Sequence, residues 1–294
     1  MPIIAFTNLK GGVAKTTTAV AVAECLAVAG HKTLVIDADH QCMAGELLLG
    51  GQRMFDCKNR LKTLHHLFLK LHDDDFSSEK FNFYVAQNGS TIGHGLENLS
   101  VIPCSTRIDD FETNLMKSGR IFKTRSEQTS MLRSRMNRMR SWLVKNFDYV
   151  IIDCPPSMPF QVKSLLNISD YFVLPCVPDR LSIRGSRLLL ERIESSGRNI
   201  QPLGTIWSLY RKQNSFHKKI IDGEFQRVLE FPTPFETIIP NATAIAESTE
   251  ATFLPRTLNE KYTPYFAKIF VSLANEVVER STHHPAEQRL QVSS

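Results

Sequence analysis

Short, almost unbroken apolar runs recur along the chain, each separated from the next by a stretch of mixed polarity. Pro2–Thr7, Lys32–Ile36, Leu99–Pro103, Tyr149–Ile152, Tyr171–Val177, Pro202–Trp207 and Thr237–Ile239 all have strand length. Runs this uniformly apolar predict strands buried on both faces, because a sheet with one wet face would alternate apolar and polar positions. Helical segments lie between most of them. Lys15–Ala29 is rich in alanine and closes on Gly30, which suits the left-handed conformation that ends many helices. Ala267–Val278 has the amphipathic spacing of a closing helix. Strands alternating with helices predict an α/β fold, a single doubly wound and mostly parallel sheet with helices on both faces. Ligands of such sheets gather beyond the carboxyl ends of the strands.

At 294 residues the chain reads as one domain, 1–294, with additions. The stretch 51–98 is weakly patterned and predicts a helical and loop insertion; 281–294 is a polar tail. Between 117 and 145, nine lysines and arginines stand against Glu127 alone, while Leu132, Met136, Met139 and Leu143 recur at helical spacing. One face of that helix should pack on the core. The formal net charge of +5 permits an anionic partner without demanding one. None of the six cysteines forms a CxxC pair, which suits reduced, buried thiols in a cytoplasmic protein. The longest apolar window, Ala19–Ala29, is interrupted by Glu24, so no membrane span is expected and no signal peptide is read at the start. A metal site from His65, His66, His72 and Asp73–Asp75 is weighed against a polar surface on the insert, and the surface is preferred.

The first apolar run leads into TNLKGGVAKTTT, Thr7–Thr18. A standard phosphate loop, G-x-x-x-x-G-K-[ST], would place glycines at positions 9 and 14, where this chain has Leu9 and Ala14. Its glycines are Gly11 and Gly12 instead, with Lys10 in front. A glycine turn running into a helix N-terminus still makes a concave anion site from backbone N–H groups. Gly11, Gly12, Val13 and Ala14 would form the cradle. Lys15 would reach the terminal phosphates of a nucleoside triphosphate, Thr17 the first, and the Thr16 hydroxyl a Mg²⁺ ion. Asp37, Asp39 and Asp153 each follow an apolar run, where Mg²⁺ would find hard oxygen ligands. Asp37 and Asp39 are two apart and share a direction in extended chain; one would assist the metal and the other orient a water.

KGGVAKTTT, VIDADHQ and YVIIDCPPS together resemble the deviant Walker-A ATPases of the ParA/MinD family, and the ParA or Soj-like branch fits best. VLPCVPDRLSIRG and FETIIPNATAIAES resemble it too; only 51–98 finds no counterpart. Leu9, Ala14 and His40 depart from the family pattern without removing a catalytic group. The resemblance implies a P-loop NTPase fold, ATP and Mg²⁺ as cofactors, and a homodimer that sandwiches ATP. It implies that Lys10 reaches into the partner subunit, that Asp39 positions the water, that Asp37 and Asp153 lie near Mg²⁺, and that Pro240 lies beside adenine.

A ParA-type switch would bind duplex DNA without sequence preference, on the nucleoid, with a ParB-like adaptor choosing the cargo. Candidate phosphate contacts are Lys212, Lys218, Lys219 and Arg227, with Arg133, Arg135, Arg138 and Arg140 from the basic run. The alternative is a MinD-like membrane-associated regulator, which would need an amphipathic C-terminal segment that the polar tail does not supply. Cluster cysteines for an electron-transferring iron protein and a tyrosine-rich tail for an autokinase are both missing from the sequence.

Overall fold

The computed structural model describes residues 1–71, 76–110, 125–224, 230–241 and 254–283. Six of the apolar runs form strands: β1 Ile3–Phe6, β2 Thr33–Asp37, β3 Leu99–Ile102, β4 Tyr149–Asp153, β5 Tyr171–Cys176 and β6 Gln201–Trp207. They make one all-parallel sheet in the order β3-β2-β4-β1-β5-β6. Every residue of β1, β2, β3 and β4 is buried, as runs without alternation require. Each fully buried Ile, Leu or Val in these strands stabilises the fold by about 1.5–3 kcal/mol relative to exposure.

Eight α-helices are present among the described residues: α1 Lys15–Val28, α2 Met43–Asn59, α3 Leu64–Lys70, α4 Arg125–Asn146, α5 Phe160–Leu166, α6 Arg180–Ser195, α7 Ser215–Ile221 and α8 Leu258–His283. α1 is buried almost throughout, and its alanines let it approach both the sheet and α8 closely. The connections leaving the neighbouring strands β1 and β5 run in opposite directions, to β2 and to β6. That reversal opens a crevice at the carboxyl edge.

The seventh expected strand, Thr237–Ile239, does not form. The chain there runs beside β6, with Phe235 N–H donating to Thr205 O and Ile239 N–H to Trp207 O, but only isolated bridges result. Pro232, Pro234 and Pro240 lack the N–H groups a continuous ladder needs. Within 51–98, α2 runs on to Asn59 across a kink at Gly50, followed by α3 and a 3₁₀ turn over Ser78–Tyr84. Phe81 of that turn stacks on Trp142 of α4 at 5.2 Å, and the Arg135 guanidinium donates to Phe76 O at 3.2 Å. Of the polar tail, everything after His283 lies outside the described residues, as do His72–Asp75. His65 is buried, not on a polar surface.

Candidate active site

Register brings three strand ends together. Phe6 and Asp37 both pair with Asp153, so the turns after β1, β2 and β4 leave the sheet side by side. The loop after β1 is pinned at both ends. Asn8, fully buried, donates to Pro175 O at 2.7 Å and to Ser186 Oγ at 2.8 Å, and its Oδ1 accepts the Lys10 N–H at 3.0 Å. Ser208, just past β6, donates to Val13 O at 2.9 Å. A Cβ at Gly185 of α6 would sit 3.2 Å from the Lys10 Cβ, so glycine lets α6 close on the loop. Gly12 has φ 71° and Ala14 φ 58°. The standard loop spends a glycine on the second of these left-handed residues; here alanine accepts the strain. Among the described residues, nothing beyond the chain neighbours lies within 4 Å of where a Cβ would stand at Gly11 or Gly12.

Ala14 is also the residue that caps α1, and no side chain caps that helix, nor does an acid lie in its first turn. Its leading N–H groups therefore face the loop with nothing negative of the protein's own on the helix to meet them. Lys15 is buried, and its ammonium donates to Lys10 O at 3.1 Å. Burial lowers its pKa, while Asp153, Cys154 and Asp39 act against that shift. Lys10, five residues earlier, is exposed.

Asp153 is fully buried, and among the described residues neither carboxylate oxygen has a well-formed hydrogen bond, the Thr16 hydroxyl being the donor that acts on it. Burial pushes its pKa up to about 7, aided by Asp39 and opposed by the Thr16 hydroxyl and the Lys15 ammonium. A buried carboxylate left without partners costs several kcal/mol unless a cation meets it. Two hard oxygens beside a threonine hydroxyl fit Mg²⁺. Asp37 differs. Its Oδ1 accepts the Asp39 N–H at 3.1 Å and its Oδ2 the Gly45 N–H at 2.9 Å. Burial raises its pKa well above the carboxylate range, the Asp153 charge adds to the shift, and the two N–H groups oppose it. Asp37 thus ties the start of α2 to the end of β2. A Cβ at Gly45 would lie 2.7 Å from Met54 Sδ and 3.3 Å from Asp37 Oδ2, so a side chain there would displace the Met54 end and crowd the Asp37 carboxylate. Asp39 follows the strand, and its Oδ1 accepts the Gln41 N–H at 3.0 Å. Pro240 reaches the same edge through the Tyr210 N–H bond to Ile239 O and the Asn241 N–H bond to Tyr210 O.

The expected cationic contacts divide. Lys212, Lys218 and Lys219 are exposed around α7, together with Arg211. The Asn214 carboxamide caps α7, and His217 Nδ1 accepts the Arg211 N–H at 3.3 Å, which fixes the turn that presents Arg211 and Lys212. Arg180 of α6 lies 5.4 Å over the Phe216 ring and extends this patch. Arg227 lies outside the described residues. Arg133 and Arg138 are exposed, but Arg135 is buried against Phe76 O, and Arg140 pairs with Asp170 at 2.8 Å while donating to Ile168 O. The last two hold the fold together.

Asn8 and Ser208 carry no local signal in the sequence, because their partners are distant in the chain. Arg180 and Arg211 join the expected lysines here, and the Arg-Lys pair at 211–212 is the signal that marks the second of them.

An AAA-domain family profile matches residues 1–203. Among curated proteins, the chain is 31% identical over 191 residues to the sporulation initiation inhibitor protein Soj of Bacillus subtilis, covering 65% of this chain and 64% of that one. It is 24% identical over 291 residues to the chromosome partitioning protein ParA of Caulobacter vibrioides, covering 97% of both. Among solved structures it is similar to cobyrinic acid a,c-diamide synthase from Mycobacterium smegmatis with bound ATP analog and magnesium, at TM-score 0.65 and 20% identity over 97% of each chain. With a glycine loop after β1, a buried lysine opening α1 and a buried aspartate ending β4, this chain belongs to the AAA-domain family matched over residues 1–203, within its ParA/MinD group of Walker-type ATPases.

Proposed function

We propose that the chain is a Mg²⁺-dependent ATP hydrolase that dimerises around ATP and, in that state, holds duplex DNA of any sequence to partition or position a cargo. The observation that carries this reading is the fully buried Asp153 carboxylate, whose oxygens lack well-formed hydrogen bonds among the described residues, beside Lys15, Thr16 and the uncapped start of α1. Asp153 and the Thr16 hydroxyl would hold Mg²⁺, which when bound neutralises charge on phosphate oxygens. Lys15 exchanges its bond to Lys10 O for one to a phosphate oxygen. The first-turn N–H groups of α1 with those of Gly11–Ala14 cradle the rest. Thr17 lies in the same first turn. Asp39 holds the attacking water, and Asp37 keeps Asp39 in place through its backbone N–H. Pro240 lies toward the base.

Lys10 is the feature that a one-subunit site leaves unexplained. It is exposed at the front of the loop, its backbone fixed by Asn8, beside glycines with open space around them. That arrangement supports a contact with ATP in a second copy, as a finger residue does in other NTPases. Arg211, Lys212, Lys218 and Lys219 supply phosphate contacts for DNA, and two subunits double them. A ParB-like adaptor would choose the cargo, and the assembly would work in the cytoplasm on the nucleoid. No helix among the described residues is long and apolar enough to cross a membrane.

The test is a binding titration with scrambled duplexes in ATP and in ADP, beside pelleting with anionic vesicles. ATP-dependent, sequence-independent DNA binding supports the switch. Equal binding in both nucleotides refutes it, and ATP-dependent vesicle binding without DNA binding moves the protein to the MinD-like alternative.

A further inference from the structure

The side of α4 away from the core forms one wall of an open groove of about 510 Å³, lined by Arg133, Ser134, Asn137, Arg138, Ser141 and Ser78. No lining residue is acidic, and each can donate a hydrogen bond. Neither Arg133 nor Arg138 has an ion-pair or hydrogen-bond partner among the described residues, unlike Arg135 and Arg140 of the same helix. The opposite wall is held in place. Arg135 bonds Phe76 O, Phe76 meets Phe81 edge-on at 5.0 Å, and Phe81 stacks on Trp142, so Ser78 is fixed against α4. The groove is therefore built by the stretch that has no counterpart in the sequence resemblance, packed on the basic helix.

We propose that this groove is a second seat for nucleic acid, taking the phosphodiester backbone of a duplex along α4. It rests on the DNA-binding reading above and adds a surface separate from α7. Charge complementarity chooses the occupant. Guanidinium groups match phosphate oxygens in geometry, and hydroxyl and amide donors complete a surface that contacts backbone without reading bases. Lys145 continues the same exposed face. From Arg133 to Lys145 is twelve residues, about 18 Å of helix, the axial rise of about five phosphates on one strand. A groove for a single free phosphate would converge its donors instead of spreading them along a helix.

The experiment measures duplex affinity against salt in the ATP state, for wild type, for Arg133→Gln/Arg138→Gln, and for Lys218→Ala/Lys219→Ala. Each lost phosphate contact should shallow the slope of log affinity against log salt by about 0.9. The α4 double variant should therefore lose about 1.8 from the slope per subunit, about 3.6 for a dimer that seats both grooves, and bind more weakly, and the effect should add to that of the α7 variant. Both arginines are exposed, so thermal melts should match wild type. A wild-type slope in the α4 variant overturns this proposal and leaves the DNA-binding reading standing. Wild type that binds no duplex at all overturns both. Anionic-vesicle pelleting that depends on Arg133 and Arg138, with duplex affinity unchanged in the same variant, assigns the groove to a lipid surface and overturns the nucleic-acid assignment.

Discussion

Glu24 sits on α1, nine residues after the lysine that opens the helix, and is fully buried. It accepts from Lys261 Nζ at 2.6 Å and from the Tyr262 hydroxyl at 2.5 Å on α8, and from the Ser90 hydroxyl. The Lys261 side chain is only 4% exposed, so solvent hardly screens this pair. Lys261→Met keeps most of the side-chain volume and removes the charge. The carboxylate is then stranded with two neutral donors, a situation that typically costs about 3–5 kcal/mol. Lys261→Met should therefore lose about 3–5 kcal/mol at pH 7. Adding Glu24→Gln should recover much of that loss, because a neutral amide needs no counter-charge. Urea unfolding followed by circular dichroism on wild type, the two single variants and the double variant gives all four corners of the cycle. A loss below about 1 kcal/mol in Lys261→Met, or no recovery in the double variant, refutes the claim that this ion pair holds α1 to α8.

Lys10→Ala should still bind ATP but lose hydrolysis and the ATP-dependent dimer, whereas Asp39→Ala should accumulate the dimer; light scattering in ATP and ADP separates them, and a monomeric Asp39→Ala protein contradicts its role at the water. Lys15→Ala should abolish ATP binding by calorimetry, since no other ammonium is buried in the loop. His65 is buried with Nδ1 unpartnered, and burial, with the charges of His66 and Arg107, lowers its pKa to about 4. Its folded value is below the unfolded one near about 6.5, so the stability is present above that pH and is lost as pH falls toward 4, by about 2–3 kcal/mol. His65→Leu should flatten that limb in melts between pH 7 and 4.

Much of the fold and the phosphate loop could be read from the sequence because both are written locally. β1, β2 and β4 announce themselves as apolar runs, and Asp153 ends β4 directly after its run. What stayed hidden depends on partners far along the chain. Glu24 reads as an interruption in an apolar helix until Ser90, Lys261 and Tyr262 are placed beside it, 66, 237 and 238 positions away. The basic helix shows the same limit. Periodicity separates the buried Met136, Met139 and Leu143 from the remaining positions, but it cannot tell an arginine facing solvent from one facing a distant carbonyl or carboxylate. Arg140 finds Asp170 thirty positions away and Arg135 finds Phe76 O fifty-nine away. Asp170 Oδ2 in turn accepts the Ile3 N–H at the start of β1. Sorting the arginines of 133–140 by partner leaves Arg133 and Arg138 as the two without one among the described residues. A helix with four arginines in eight residues thus assigns two to cohesion and leaves two for an outside anion, a division set by three-dimensional neighbours and not by spacing.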